Sequence, residues 1–111
     1  MLKEISLVIP SYNAKEKLIH LIKEIPNWEI IPNEIIIIDS SELNFKIPEN
    51  LESLIKKLDI NLQIIHGQNL YPGHARNIGI NSSTNSVLVF LDTSTIPSKK
   101  WLSSSLAIMN K

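Results

Sequence analysis

Apolar residues fall along the chain in two textures. Short, β-branched runs form the first: Ile5-Ser6-Leu7-Val8-Ile9, stopped by Pro10; Glu34 to Ile38, closing on Asp39; Leu62-Gln63-Ile64-Ile65; and Val87-Leu88-Val89-Phe90-Leu91, closing on Asp92. Runs that are continuous rather than alternating belong to strands covered on both faces, as in a parallel sheet. The second texture has helical spacing. Ala14 to Ile25 gathers Leu18, Ile19, Leu21, Ile22 and Ile25 on one side and lysines and glutamates on the other, and Pro26 terminates it. Pro48 to Leu58 repeats the arrangement with Leu51, Leu54, Ile55 and Leu58, its proline suited to a first helical turn. A third segment, Pro72 to Ile80, enters on Pro-Gly, and a fourth starts near Ser98 with Trp101, Leu102, Leu106 and Met109. The order β-α-β-α-β-α-β-α predicts an α/β fold with a parallel sheet and right-handed crossovers. Leu102 to Lys111 reads as helix to the last residue, with no glycine cap or breaker. Its apolar face is expected to need a partner layer, so the chain reads as the truncated first half of a larger domain, able to self-associate through that helix.

Composition narrows the function classes. Eleven basic residues balance eleven acidic ones in 111, so no overall field holds the chain on nucleic acid or an anionic membrane. There is no cysteine, which excludes a disulfide scaffold, a zinc-thiolate site and a thiol nucleophile. No apolar run approaches the ~20 residues a transmembrane helix needs. Met1-Leu2-Lys3-Glu4 lacks a signal-peptide layout, and a cytoplasmic location is expected.

In an open parallel sheet, ligands bind outside the carboxyl ends of the strands, where the strand order reverses. Four segments occupy such positions: Pro10-Ser11-Tyr12-Asn13, Asp39-Ser40-Ser41-Glu42, His66-Gly67-Gln68-Asn69 and Asp92-Thr93-Ser94-Thr95. An aspartate there accepts hydrogen bonds from ribose hydroxyls or base N–H groups, ligates a hard cation, or caps the turn that follows. A second candidate is Tyr71 to Gly79, where a glycine opens a helix whose free N–H groups suit a phosphate and Arg76 lies one turn in. It carries neither the Gly-Lys-Ser/Thr of a P-loop nor the Gly-x-Gly-x-x-Gly of a dinucleotide loop. Two of the chain's three glycines, Gly73 and Gly79, fall in it, which implies a backbone requirement.

These segments, in this order, resemble the N-terminal, nucleotide-binding half of family 2 glycosyltransferases, which have the GT-A fold. Ile5 to Asn13 (ISLVIPSYN) is similar to the family's opening strand and Pro-x-Tyr-Asn turn. Ile35 to Ser41 (IIIIDSS) resembles the strand ending in the nucleoside-contacting aspartate. Pro72 to Gly79 (PGHARNIG) is similar to the Gly-x-Ala-Arg-Asn-x-Gly helix, and Val87 to Leu102 (VLVFLDTSTIPSKKWL) to the strand bearing the Asp-x-Asp motif. The resemblance implies a nucleoside-diphosphate-sugar site drawn from Pro10, Tyr12, Asn13, Asp39, Arg76 and Asp92. Tyr12 would stack on the base, Asp39 would bond its N–H edge or the ribose, and Arg76 would contact the nucleotide. Asp92 would stand near the ribose and a divalent cation, Mn²⁺ or Mg²⁺, that stabilises the departing diphosphate. The second acid of Asp-x-Asp is replaced by Ser94, which weakens the metal site, and the glycine after the nucleoside aspartate is Ser41. The family's general base and acceptor surface lie in its C-terminal half, and none of these 111 residues matches them.

The remaining singletons have plainer readings. His66 and His74 flank the proposed cleft, where they would be able to touch phosphate, but together with His20 they read as structural or surface groups, since no second ligand sits at metal spacing. Trp28 and Trp101 are expected to pack, and Lys99 and Lys100 to mark a solvated helix start. The expectation is a three-layer, mostly parallel sheet in the order 3-2-1-4 with flanking helices, GT-A or Rossmann-like, forming one domain over residues 1–111. Its expected function is to bind a nucleoside-diphosphate sugar for transfer to a glycan, lipid or protein hydroxyl. The alternatives are a non-catalytic remnant or fragment that binds a nucleotide or partner protein without transfer, favoured by Ser94 and by the missing second half, and an unrelated doubly wound nucleotide-binding module.

Overall fold

The computed structural model of the chain describes residues 2–41, 46–67, 72–85, 87–93 and 108–110. The elements run β1 (Leu2–Ser11), α1 (Lys15–Glu24), a 3-10 turn (Ile25–Asn27), β2 (Ile31–Asp39), α2 (Glu49–Lys57), β3 (Asn61–His66), α3 (Pro72–Ser82), β4 (Val87–Phe90) and β5 (Ile108–Asn110). The strands form one sheet in the order β3-β2-β1-β4-β5. The first four are mutually parallel, in the expected 3-2-1-4 order.

Local chemistry accounts for the boundaries. α1 carries Glu16 in its first turn and Lys23 in its last, both favourable to the helix dipole. It stops two residues before Pro26, which sits instead at the start of the 3-10 turn, where its missing N–H costs no hydrogen bond. α2 repeats the charge arrangement with Glu49 and Glu52 first and Lys56 and Lys57 last. Pairing of β1 with β2 shifts register between Lys3 and Ser6, beside Pro32, which has no N–H to donate to the ladder.

The side-chain period of two divides the sheet cleanly. Leu7, Ile9, Ile35 and Ile37 point to one face and pack with Leu18, Leu21 and Ile22 of α1 and Leu51 and Ile55 of α2. Val8, Ile36 and Ile38 point to the other and pack with Ala75 of α3. These layers bury the apolar runs of β1 and β2 on both sides, as their composition implies, and those of β3 and β4 in part. Trp28 is buried in the larger cluster, as expected of a packing residue.

The end of the chain departs from expectation. Ile108–Asn110, placed by spacing in a fourth helix, form a strand antiparallel to β4, with Val89 opposite Ile108 and Val87 opposite Asn110. The outer edge of β4 is a row of backbone donors and acceptors, and pairing with it outweighs a helical pattern in so short a segment. Self-association through an apolar helical face therefore loses this part of its basis. Ser94 to Ala107, including Trp101, Lys99, Lys100 and the serine run, lie outside the described residues.

At the amino ends of the strands a buried carboxylate joins three strands to the connection that follows α3. Glu34, 1% exposed, accepts from Ser6 Oγ at 2.6 Å, Asn61 Nδ2 at 3.4 Å, the Thr84 N–H at 2.9 Å and Thr84 Oγ1 at 3.1 Å. Asn85 Nδ2 adds donations to Ser6 Oγ and Asn33 Oδ1. The connection from α3 to β4 is thus tied to the amino end of the sheet.

Candidate functional site

Strand pairing places Ser11, Asp39 and His66 in one row at the carboxyl ends of β1, β2 and β3. Residues directly opposite one another point to the same face, here the side covered by α1 and α2. Backbone hydrogen bonds continue the ladder past the row, from the Ser40 N–H to Ser11 O and from the Gly67 N–H to Asp39 O, so the three strand ends are fixed relative to one another.

Asp39 is the centre of the row and is 1% exposed. Its Oδ1 accepts from Ser41 Oγ at 2.5 Å and from the Ser41 N–H at 3.4 Å, the latter closing an Asx turn. Ser41 Oγ in turn accepts from the Asn13 N–H at 2.8 Å. Asn13 has φ 46, a left-handed conformation that asparagine tolerates better than most residues, and this belongs to the turn that brings its N–H to Ser41. The carboxylate is therefore tied to the turn after β1 through one hydroxyl. Asp39 does cap its own turn, as one of its two readings required.

The other oxygen of Asp39 is different. Oδ2 is buried and lies 3.3 Å from His66 Nδ1, within ion-pair range but without hydrogen-bond geometry, so it has a neighbour and no hydrogen bond. Ser11 Oγ, in the same row, is also buried without a hydrogen-bond partner among the described residues. Buried polar atoms are nearly always paired, so two without a hydrogen-bond partner among the described residues set this row apart.

The other expected site residues surround this row unevenly. Pro10 sits in β1 opposite Ile38. Tyr12 is 62% exposed directly after β1, with its ring free for stacking. Asp92 is exposed just beyond β4, whose end is held to β1 by the Leu91 N–H on Val8 O. Arg76 is exposed on α3, with its guanidinium carbon 5.8 Å from the centroid of the Phe90 ring. α3 covers the face opposite Asp39, so a ligand touching both Arg76 and Asp39 has to lie across the sheet's edge. Ser94 lies outside the described residues.

Of the two glycines of the third helix, only Gly79 has a structural requirement in its surroundings. Around Gly73 there is open space, whereas a Cβ on Gly79 would overlap the Val8 side chain. The requirement at Gly79 is close helix-to-sheet packing rather than approach to a phosphate. His20 and His74 are exposed, as expected, but His66 is the neighbour of Asp39. That pairing and the Ser41 link were not visible in the sequence, apart from the Asp-x-Ser spacing that favours an Asx turn.

Among the described residues, no group of three histidine, aspartate or glutamate side chains is placed to hold a metal ion. One carboxylate, Asp92, does not make a Mn²⁺ or Mg²⁺ site. Among the same residues no helix is long and apolar enough to cross a membrane.

The chain is similar to several known proteins. An uncharacterized glycosyltransferase of Rickettsia bellii (strain RML369-C) is 33% identical over 92 residues, which are 81% of this chain and 13% of that protein. The crystal structure of S. aureus TarS 1-349 in complex with UDP-GlcNAc matches with a TM-score of 0.66 and 19% identity, over 95% of this chain and 30% of that one. The mannosyltransferase PcManGT from Pyrobaculum calidifontis, in complex with GDP-Man and Mn2+, matches with a TM-score of 0.68 and 17% identity, over 94% of this chain and 31% of that one. The two structures show the shared GT-A fold, and the chain spans less than a third of the length of any of these proteins. The family model described as Glycosyl transferase family 2 matches residues 6–111, nearly the whole chain, and the chain belongs to that family.

Proposed function

We propose that the carboxyl edge of the sheet binds a nucleoside-diphosphate sugar, and that these 111 residues are the donor-binding part of a glycosyltransferase that passes the sugar to an acceptor hydroxyl. The observation that carries this reading is the Ser11–Asp39–His66 row, with its two orphaned buried oxygens, next to the exposed Tyr12. The base stacks on Tyr12, and the Asp39 carboxylate serves its N–H edge or the ribose. Pro10 and Asn13 shape the turn that carries Tyr12. Asp92 approaches the ribose and diphosphate from the end of β4, and Arg76 approaches the nucleotide across the edge. The TarS fragment holding UDP-GlcNAc and PcManGT holding GDP-Man support a donor of this class. The PcManGT complex also holds Mn2+. A divalent cation here would need ligands beyond Asp92, and the donor's own phosphates would supply them.

Transfer needs an acceptor site as well, and that part of the reading belongs to the protein as a whole. A nucleotide-binding chain that transfers nothing is the second reading, favoured by Ser94 in place of the second acid of Asp-x-Asp. Calorimetric titration with UDP and GDP, each with Mn²⁺ and then with EDTA, tests the donor site. Binding of one nucleotide, lost in Asp39→Ala and Asp92→Ala, is the expected result. A folded sample that binds neither overturns the proposal.

A further inference from the structure

β3 forms one margin of the sheet: among the described residues it pairs with β2 alone, and Leu62 to Ile65 are only partly buried. An open strand edge is a row of backbone donors and acceptors, which proteins commonly guard with lysine, proline or a bulge. β3 has none of these. Asn61-Leu62-Gln63-Ile64-Ile65-His66 carries no lysine, proline or acidic residue, and its register with β2 is unbroken. The strand at the other margin, β5, is three residues long. On α2, beside this edge, Glu49 and Glu52 stand in the first turn and Lys56 and Lys57 in the last, all four exposed. From the unguarded edge and this charge order we propose that β3 and α2 form an interface for a second copy of this chain, joined antiparallel about a twofold axis normal to the sheet.

The surface is complementary to itself. Opposite residues of an antiparallel pair point to the same face, and an axis normal to the sheet keeps the α2 helix of each copy on the same side. With the axis at Gln63, Leu62 then lies opposite Ile64 of the second copy, on the side where both pack with Leu51 and Ile55 of α2. α2 ends at Lys57, beside the start of β3, and runs antiparallel to it. A strand rises about 3.3 Å per residue and a helix about 1.5 Å, so an axis two residues into β3 passes roughly four residues before the end of α2, near Ser53. The two helices therefore run side by side in opposite directions. Glu49 and Glu52 of one come opposite Lys56 and Lys57 of the other, and the twofold repeats the attraction. The chain has no net charge, so no overall field keeps two copies apart. The carboxyl edges of the two sheets point in opposite directions, which leaves each nucleotide site to its own chain.

Sedimentation equilibrium of the 111-residue chain, without nucleotide, from about 10 μM to about 1 mM, tests the interface apart from the donor site. A monomer–dimer equilibrium is expected, and the β3 amides, open in the single chain, should gain protection from exchange as the concentration rises. Gln63→Lys and Gln63→Glu each set like charges across the axis and should weaken the dimer roughly fivefold, whereas an equimolar mixture of the two should dimerise at least as well as wild type. Lys56→Glu with Lys57→Glu should weaken it roughly tenfold. Mixing that variant with one carrying Glu49→Lys and Glu52→Lys should restore the dimer. Circular dichroism checks that each variant is folded, and where the helix substitutions unfold the chain, the Gln63 pair on the strand still decides. A chain that stays monomeric up to about 1 mM, an assembly that grows beyond the dimer, or a dimer indifferent to either set of charges overturns the proposal.

Discussion

Replacing Ser41 by alanine removes a hydroxyl that accepts from the Asn13 N–H and donates to Asp39 Oδ1, so two groups on different turns lose a partner together. A buried acceptor left unpaired costs about 1–3 kcal/mol. Ser41→Ala is therefore expected to lower stability by about 1–2 kcal/mol, since the Ser41 N–H still reaches Oδ1. Urea unfolding checks this: the midpoint should fall with the slope unchanged, and an unchanged midpoint would show the link to be idle. Asp39 was legible in the sequence because a polar residue closing an apolar run marks a strand's carboxyl end. Its partners were not. Asn13 and Ser41 meet across 28 positions, and only the registers of β1, β2 and β3 bring Ser11, Asp39 and His66 into one row. A single sequence shows each of these residues at the end of its own run, and does not show that the three ends are level.

Helix-to-sheet contact decides the role of Gly79. Its missing Cβ lets α3 lie against Val8 of β1, so Gly79→Ala adds a methyl group where none fits and is expected to cost about 1–3 kcal/mol. Adding Val8→Ala to that variant opens the space again, so the double variant should lose clearly less than the sum of the two single losses. Additive losses in thermal or urea unfolding would place the strain elsewhere. Glu34 holds the other end of the same crossover. Glu34→Ala leaves the buried Ser6 hydroxyl and the Thr84 N–H without their acceptor, and a loss of about 2–4 kcal/mol is expected from unfolding curves. The strands and the first three helices were legible because an apolar run and an amphipathic repeat differ in period. Two features escaped that reasoning. Glu34 looked like the polar start of an apolar run although it is buried, because its donors come from three other segments. Ile108–Asn110 read as helix because the pattern contains no term for the open edge of β4 that they pair with.

Strand order sets where the molecule is hardest to open. β1 and β2 lie side by side within the sheet, each hydrogen-bonded on both edges, and Leu7 to Ile9 and Ile35 to Ile38 are buried throughout. β3 is the outer strand beside β2, and its inner four residues are only partly buried. The apolar composition of Leu62 to Ile65 did predict a strand, but composition alone does not distinguish an outer strand from a central one; that depends on what lies beyond it. Local opening should follow these differences in burial and pairing rather than hydrophobicity. Amide hydrogen exchange is therefore expected to be slowest at Leu7 to Ile9 and Ile35 to Ile38. The β3 amides should exchange at least about tenfold faster, a gap of roughly 1.4 kcal/mol in opening free energy. Asp39 and His66 then stand at the boundary between the two regimes, one on a strand that opens only with the whole fold and the other on a strand that opens earlier. A nucleotide held by both would slow exchange in β3 more than in β2, because β3 has protection left to gain. Equal slowing in both strands would mean that the ligand is held by β2 and its turns alone.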